Sequence, residues 1–108
     1  MAYSYHVYIL TNTSKKVLYT GFTNDLPQRL TEHYLNRGKY KTFAGRYYSY
    51  HLLFYEHYKY VNDALAREKE IKGWRREKKI DLIKSFNPKF LFLNNEVMEW
   101  PPNYLYHR

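Results

Sequence analysis

The chain contains no cysteine, so a disulfide framework and a thiolate metal site are both excluded. No apolar stretch approaches the roughly 20 residues that a membrane-spanning helix needs, and the first residues lack the apolar region of a secretory signal. The sequence has no HExxH motif, no glycine-rich phosphate loop and no histidine spacing typical of a zinc site. We therefore expect a cytoplasmic protein with no membrane partner.

Acidic residues are few, at 10 against 18 lysines and arginines, which gives a net charge of +8. A small basic domain is a candidate for polyanion partners, of which nucleic acid is the commonest, although the charge could serve solubility alone. Hydrophobic residues make up 44% of the 108 residues, which excludes a disordered chain. The length predicts one domain with one core.

Two tyrosine-bearing apolar runs, residues 5–11 and 16–22, are predicted to form a β-hairpin around the turn-forming residues 12–15. Pairing Leu10 with Val17 leaves six loop residues and places Tyr8 directly opposite Tyr19, with Cβ atoms about 5 Å apart on one face. The two phenols either share a site or pack as a cross-strand pair. Gly21, at the end of the second run, permits a close backbone approach or a positive φ.

A helix is predicted from residue 26 to about residue 36. Asp25 as N-cap with Gln28 three residues later has the form of a capping box, and Pro27 is tolerated in the first turn. Arg29 and His33 lie four residues apart along one edge of the apolar stripe, at the border between core and solvent. Each is either a site residue or a surface charge. The stripe itself consists of Leu26, Leu30 and Tyr34.

Residues 37–50 are rich in cations and aromatic rings and contain no acidic residue. We interpret them as a loop or partly ordered insertion. Cations suit phosphates and rings suit bases, so the segment is a candidate nucleic-acid surface, or else a solvated basic loop. Arg46 is the preferred contact, with Lys39 and Lys41 beside it.

Residues 51–59 are predicted to form the third strand, and a helix capped by Asn62 or Asp63 is predicted to run to about residue 72. Glu68 falls within the apolar stripe of this helix. A carboxylate on an inward face is costly unless it meets a cation, a metal or several donors. Glu68 is therefore a candidate site residue, or a member of a structural ion pair, for instance with Arg29.

A cation-rich helix is predicted over residues 74–85, with Ile80 and Ile83 facing inward and Asn87-Pro88 ending it. Residues 89–93 are expected to pack as a strand or to cover the core. The predicted division is a domain over residues 1–93 and an aromatic arm over 94–108. The basic run on the outer side of the helix adds to the positive footprint through Arg75, Arg76, Lys78 and Lys79.

Two phenols, a guanidinium, an imidazole and an inward carboxylate suit phosphodiester hydrolysis. Such a reaction needs a base for the water, a cation beside the phosphoryl oxygens and a hard metal held by carboxylate. The residue types alone make a nuclease plausible.

The order of these motifs resembles the GIY-YIG nuclease domain. The strand YHVYIL and the stretch LYTGFTNDL match the two halves of the motif, an arginine follows Gly21 by eight residues, and a histidine follows four residues later. The segment 64–83 and the NPKF of residues 87–90 complete the series. The resemblance covers most of the chain and is closest to small stand-alone UvrC-type proteins. It implies an α+β fold, a small three-stranded antiparallel sheet flanked by helices.

The resemblance also implies roles for four residues of the first half. Tyr8 acts as general base on the water nucleophile and Tyr19 supports it by hydrogen bonding. Arg29 positions and neutralises the scissile phosphate, and His33 assists in the same site. The motif departs from the family name at two positions, with His6 and Thr20 in place of glycine and isoleucine.

The remaining implied roles concern the metal. Glu68 is the implied ligand of a single Mg²⁺ or Mn²⁺ ion, and Asn87 is the implied asparagine that closes the site, with Asn94 as second choice. The expected activity is metal-dependent endonuclease on DNA, with RNA as the alternative nucleic acid, in DNA repair or processing. The alternatives are a catalytically weak nucleic-acid-binding module and a protein-interaction module that uses the C-terminal arm. Oligomeric state is not predicted.

Overall fold

The computed structural model describes residues 4–103. Within that range an antiparallel sheet and five helices form the α+β fold that the resemblance predicts. The elements are β1 (Tyr5–Thr11), β2 (Leu18–Thr23), α1 (Leu26–Leu35), α2 (Phe43–Arg46), β3 (His51–Tyr58), α3 (Val61–Lys72), α4 (Arg76–Phe86) and α5 (Asn94–Val97).

Strand β1 lies at the centre of the sheet, whose strand order is β2-β1-β3. Successive side chains of a strand point to opposite faces, and both faces are covered, so the middle of β1 is almost fully buried. One cluster gathers Val7 and Ile9 with Ala64 and Ile71 of α3. The other cluster gathers Tyr8, Leu10, Leu26, Leu30, Leu52 and Leu93.

The hairpin register differs from the prediction by two residues. Leu10 pairs with Tyr19, not Val17, and Tyr8 pairs with Gly21. The loop still has six residues, but it spans 12–17 because β1 continues one residue further and β2 begins one residue later than predicted. The Asn12 side chain accepts hydrogen bonds from the backbone N–H groups of Lys16 and Val17, which fixes this later turn. Since a register shift of two residues leaves every side chain on the same face of the sheet, Tyr8 and Tyr19 remain on one side.

Helix α1 begins as the sequence predicts. Asp25 is the N-cap, and its carboxylate accepts a hydrogen bond from the Gln28 backbone N–H at 3.1 Å. Only this half of the capping box forms, because the Asp25 backbone N–H donates to the Thr23 hydroxyl. Leu26 and Leu30 are buried against the sheet.

The segment 37–50 is more ordered than predicted, because it contains the short helix α2. Thr42 caps this helix by accepting from the Gly45 N–H. The segment folds back on itself, since the Gly38 N–H donates to the Gly45 carbonyl at 2.8 Å. A Cβ at Gly45 would lie 2.5 Å from the Lys39 carbonyl and 2.7 Å from that of Asn36, so only glycine fits there.

The second half of the fold requires two corrections of helix boundaries, and of the two alternatives for residues 89–93 the structure shows a segment that covers the core. Helix α3 begins at Val61 with Tyr60 as N-cap, so neither Asn62 nor Asp63 caps it. Helix α4 begins at Arg76 rather than residue 74 and ends at Phe86. Residues 89–93 form no strand; instead Leu93 is buried and donates its backbone N–H to Leu52 of β3.

The described part of the predicted C-terminal arm lies on the domain. Asn94 is buried, and Val97, Met98 and Trp100 pack against the second core cluster. Residues 104–108 of the predicted arm lie outside the described residues, and the boundary at residue 93 stays a prediction. Between residues 4 and 103 no helix is both long and apolar enough to cross a membrane.

Candidate active site

Tyr8 of β1 forms the centre of the site. Its ring lies across the neighbouring strand at Gly21, where a Cβ would overlap the ring and the hydroxyl. Because residue 21 has no side chain, the phenol reaches the α1 side of β2. There the Tyr8 hydroxyl forms a 2.9 Å hydrogen bond with Nε2 of His33. The predicted close approach at Gly21 is therefore present, and the glycine does not need a positive φ.

Tyr19 flanks this pair from the adjacent strand. Its ring centroid is 6.4 Å from that of Tyr8 and 5.3 Å from that of His33, in an edge-to-face arrangement with the imidazole. Tyr19 also stacks on Phe43 of α2, with centroids 6.3 Å apart and planes 20° apart. The two phenols thus sit on one face, joined through the imidazole.

Burial holds both members of the Tyr8–His33 pair in their neutral forms. It raises the pKa of the Tyr8 phenol far above its usual value, and the negative charges of Glu68 and Glu32 add to the rise. It lowers the pKa of His33 to about 4, with the Arg29 guanidinium as the second cause. At neutral pH the phenol therefore carries its proton, and Nε2 of an uncharged His33 can accept that hydrogen bond with the ring proton on Nδ1.

Arg29 brings a positive charge to the same place. It lies close enough to affect both titrations, since it lowers the pKa of His33 and opposes the rise at Tyr8. Its partner on α1 is Glu32, with 3.4 Å between Nε and Oε1, and both side chains are nearly half exposed. An exposed pair of this kind is weak, so the guanidinium is free to exchange Glu32 for a phosphate.

Glu68 reaches the site from α3. Its side chain is 20% exposed, and its charge acts on the Tyr8 phenol. The inward position agrees with the helical pattern. The alternative prediction was an ion pair with Arg29. Instead, the Glu68 carboxylate pairs with Lys72 one turn along α3, at 3.2 Å. In residues 4–103 no three acidic or histidine side chains cluster as a metal site.

The fold therefore gathers five of the six residues predicted to be catalytic, Tyr8, Tyr19, Arg29, His33 and Glu68, by contact or by charge. Asn87 instead ends α4, where its amide donates to the carbonyls of Leu53 and Leu91 and accepts from the Leu91 N–H. Asn94 likewise bonds to backbone, at Leu52 and Tyr50. A site-closing role for either asparagine stays a prediction.

The residues predicted to bind nucleic acid fall in two places. Lys39, Lys41 and Arg46 are exposed on the segment that carries α2, beside the site, with Arg46 over the ring of Tyr40. Arg75, Arg76, Lys78 and Lys79 lie at the start of α4. Arg76 donates to the Lys15 carbonyl in the β1–β2 turn, and Lys78 lies over Trp74, which gives both side chains structural partners.

Sequence reasoning missed two residues that the structure places at the site. Phe43 stacks on Tyr19, and no periodic pattern in its segment could have indicated that contact. Glu32 pairs with Arg29 and acts on Tyr8. Its position three residues after Arg29 on the same helix was the available signal.

Comparison with known families identifies the family of the domain. A profile described as the GIY-YIG catalytic domain matches residues 4–81. The chain therefore belongs to the GIY-YIG family of nuclease domains, whose substrates are nucleic acids and whose members generally depend on a divalent metal. The resemblance to the GIY-YIG domain that the sequence motifs indicated is confirmed.

The similar proteins are themselves small. UPF0213 proteins of Staphylococcus aureus, from strain Mu3 and strain N315 (SA0446), are each 40% identical over 81 residues, which cover 75% of this chain and 95% of theirs. The solution NMR structure of the UPF0213 protein BH0048 from Bacillus halodurans is 28% identical with a TM-score of 0.52, covering 81% of this chain and 89% of that one. These names do not address the UvrC-type assignment, which stays a prediction.

Proposed function

We propose that the protein is a metal-dependent endonuclease that hydrolyses phosphodiester bonds in DNA at the Tyr8–His33 pair. The observation that carries this proposal is the 2.9 Å hydrogen bond between a protonated phenol and a neutral imidazole, with a guanidinium and a carboxylate acting on the same pair. A role in DNA repair or processing, as in UvrC-type proteins, belongs to the same proposal.

Tyr8 and His33 together move one proton. As the water oxygen attacks phosphorus, the water proton passes to the Tyr8 oxygen while the phenol proton passes to Nε2 of His33. The bond to the leaving oxygen breaks, and that oxygen takes a proton from solvent. This route never requires a free phenolate, which burial disfavours.

Binding of a phosphate at Arg29 would make His33 a better acceptor of that proton. In the free protein the guanidinium helps to keep the pKa of His33 at about 4. A phosphate seated on Arg29 would offset this positive charge, so the basicity of His33 would rise when substrate is bound. Tyr19 packs against both rings and holds them in place.

The residues present fit the expected Mg²⁺ or Mn²⁺ ion. Such ions prefer hard oxygen ligands, keep several waters and commonly bind through one or two carboxylates plus a substrate phosphate. Glu68 would hold the ion, since it is mostly buried and its paired lysine is exposed. When bound, the ion would offset negative charge on the phosphate and leaving oxygen.

The test is nicking of supercoiled plasmid DNA with Mg²⁺ or Mn²⁺. Tyr8→Phe and Glu68→Gln are expected to lower the rate at least 100-fold, while DNA binding at low salt persists. Glu70→Gln is the matched control, because Glu70 lies on the exposed side of the same helix and pairs with Arg67. Equal background cleavage by all four proteins would refute hydrolysis and leave a nucleic-acid-binding module on this fold.

A further inference from the structure

The segment that carries α2 exposes an unusual number of large rings. Tyr40, Phe43, Tyr47 and Tyr48 are 74%, 51%, 42% and 52% exposed. Rings that a soluble domain leaves in water, grouped within nine residues and beside an active site, are more typical of a binding surface than of scattered surface hydrophobics.

Two of these rings extend directly from the site. Tyr19 stacks on Phe43 in nearly parallel planes, and the Phe43 ring lies 4.8 Å from that of Tyr47. Since Tyr19 also contacts His33, a continuous aromatic surface runs outward from the Tyr8–His33 pair. We name the rings of Tyr19, Phe43 and Tyr47 the aromatic shelf.

The aromatic shelf is held in place by backbone contacts. Thr42 caps α2, the Ser49 N–H donates to the Ala44 carbonyl, and Gly45 allows α2 to pack closely on the carbonyls of Asn36 and Lys39. A preformed surface has little conformational entropy to lose when a ligand stacks on it. The exposed rings are therefore presented by a defined structure.

The charge around the aromatic shelf is positive. Segment 37–50 contains no acidic residue, and Lys39 and Lys41 line an open depression with Tyr40 and Thr42, next to Phe43. Exposed rings with cations beside them match a strand of nucleic acid, whose bases can stack while its phosphates meet the cations. A neutral protein surface would gain less from the exposed side chains of Lys39 and Lys41 in this position.

We propose that the aromatic shelf stacks an unpaired nucleobase next to the scissile phosphate, so that the preferred substrate has single-stranded nucleotides at the cleavage point. In a duplex both faces of an internal base are covered by its neighbours, and a protein ring cannot reach them without unstacking the helix. The shelf begins at Tyr19, within the proposed catalytic group, so the placement of this base beside the cleaved bond rests on the proposed function.

The experiment measures binding without cleavage, in EDTA, with oligonucleotides that contain 2-aminopurine, whose fluorescence is quenched by stacking. Single-stranded DNA, single-stranded RNA and duplex DNA are compared. We expect quenching and tighter binding with the single strands, and about 5- to 100-fold weaker binding for Phe43→Leu and Tyr47→Leu. Phe43→Trp should retain binding. Tyr60→Leu is the matched control, because Tyr60 is 62% exposed beside Lys59 and remote in sequence from the shelf.

The outcomes separate this proposal from hydrolysis. If both leucine variants bind single strands as the unmodified protein does, the shelf is not a base-stacking site, even if plasmid nicking is normal. The proposal would also be refuted if the protein bound duplex DNA more tightly than single strands and did not quench 2-aminopurine fluorescence. Quenching that depends on Phe43, in a protein that fails to cleave with Mg²⁺ or Mn²⁺, would support the shelf and refute the nuclease proposal.

Discussion

The ring of Tyr8 occupies the space that a side chain at Gly21 would fill. This relationship explains how a tyrosine on the central strand presents its hydroxyl to His33 on helix α1. The glycine in the second half of the motif is therefore needed because it has no side chain. This requirement links the glycine of the sequence motif to the position of the Tyr8 hydroxyl in the candidate site.

Gly21→Ala is expected to displace Tyr8 and to lower both stability and activity. Its Cβ would overlap the buried phenol, so we expect a loss of about 1–3 kcal/mol in the free energy of unfolding and at least a tenfold slower nicking rate. Urea denaturation and the plasmid assay measure the two effects. Gly73→Ala is the control, because a Cβ there would lie 3.5 Å from the nearest atom. Equal behaviour of the two variants would show that the ring does not need this space.

His33 should make the fold less stable in acid. Its pKa is lowered from 6.5 to about 4, so the unfolded chain binds more protons than the folded one between those values. The stabilisation is complete above pH 6.5 and is lost as pH falls through 4, on the order of 3 kcal/mol in all. His6 and His51 also have lowered pKa values, so the relevant quantity is the difference between the protein and His33→Gln across this window. An NMR titration of the His33 ring with its midpoint near 6.5 would contradict the expectation.

Asn94 and Asn87 should matter for stability. Removing the Asn94 amide leaves the buried Leu52 N–H without its side-chain partner and costs about 2–4 kcal/mol. Asn87→Ala breaks three bonds to backbone and should cost a similar amount. Asn95→Ala, at an exposed neighbour, is the control. Thermal unfolding measures the losses, and an Asn94→Ala variant as stable as the control would refute the assignment.

Thr20 offers a stabilising substitution. Its hydroxyl is buried without a hydrogen-bond partner, at the position where the family motif has isoleucine. Thr20→Val removes the buried polar atom and conserves the shape, so the free energy of unfolding should rise by about 1 kcal/mol. Thr31→Val is the contrast, because the Thr31 hydroxyl donates to the Pro27 carbonyl and its loss should not stabilise. A destabilised Thr20→Val would mean that the hydroxyl has a partner in solution.

The sheet and the first helix could be predicted because local signals agree with the fold. The apolar run of β1, the cap at Asp25 and the break at Asn87-Pro88 each depend on neighbouring residues only. The hairpin register was wrong by two residues, since it depends on how the Asn12 side chain binds the turn. The error left Tyr8 and Tyr19 on one face because side chains alternate with a period of two.

The sequence predicted which residues belong to the candidate site better than it predicted which of them are in contact. Helical spacing placed Arg29, His33 and Glu68 on inward edges, but it could not show that Glu68 pairs with Lys72 rather than Arg29. The contact between Phe43 and Tyr19 joins residues 24 apart through a segment without periodicity. Such a contact depends on how Gly45 packs, which only the three-dimensional structure reveals.

The most direct measurement is the position of Mn²⁺ in a crystal of the protein, determined by anomalous scattering. The account predicts one ion on the Glu68 carboxylate, on the side that faces Tyr8, and its loss in Glu68→Gln. An ion bound elsewhere with Glu68 still paired to Lys72, or an unchanged ion in the variant, would contradict the proposal that this carboxylate holds the catalytic metal.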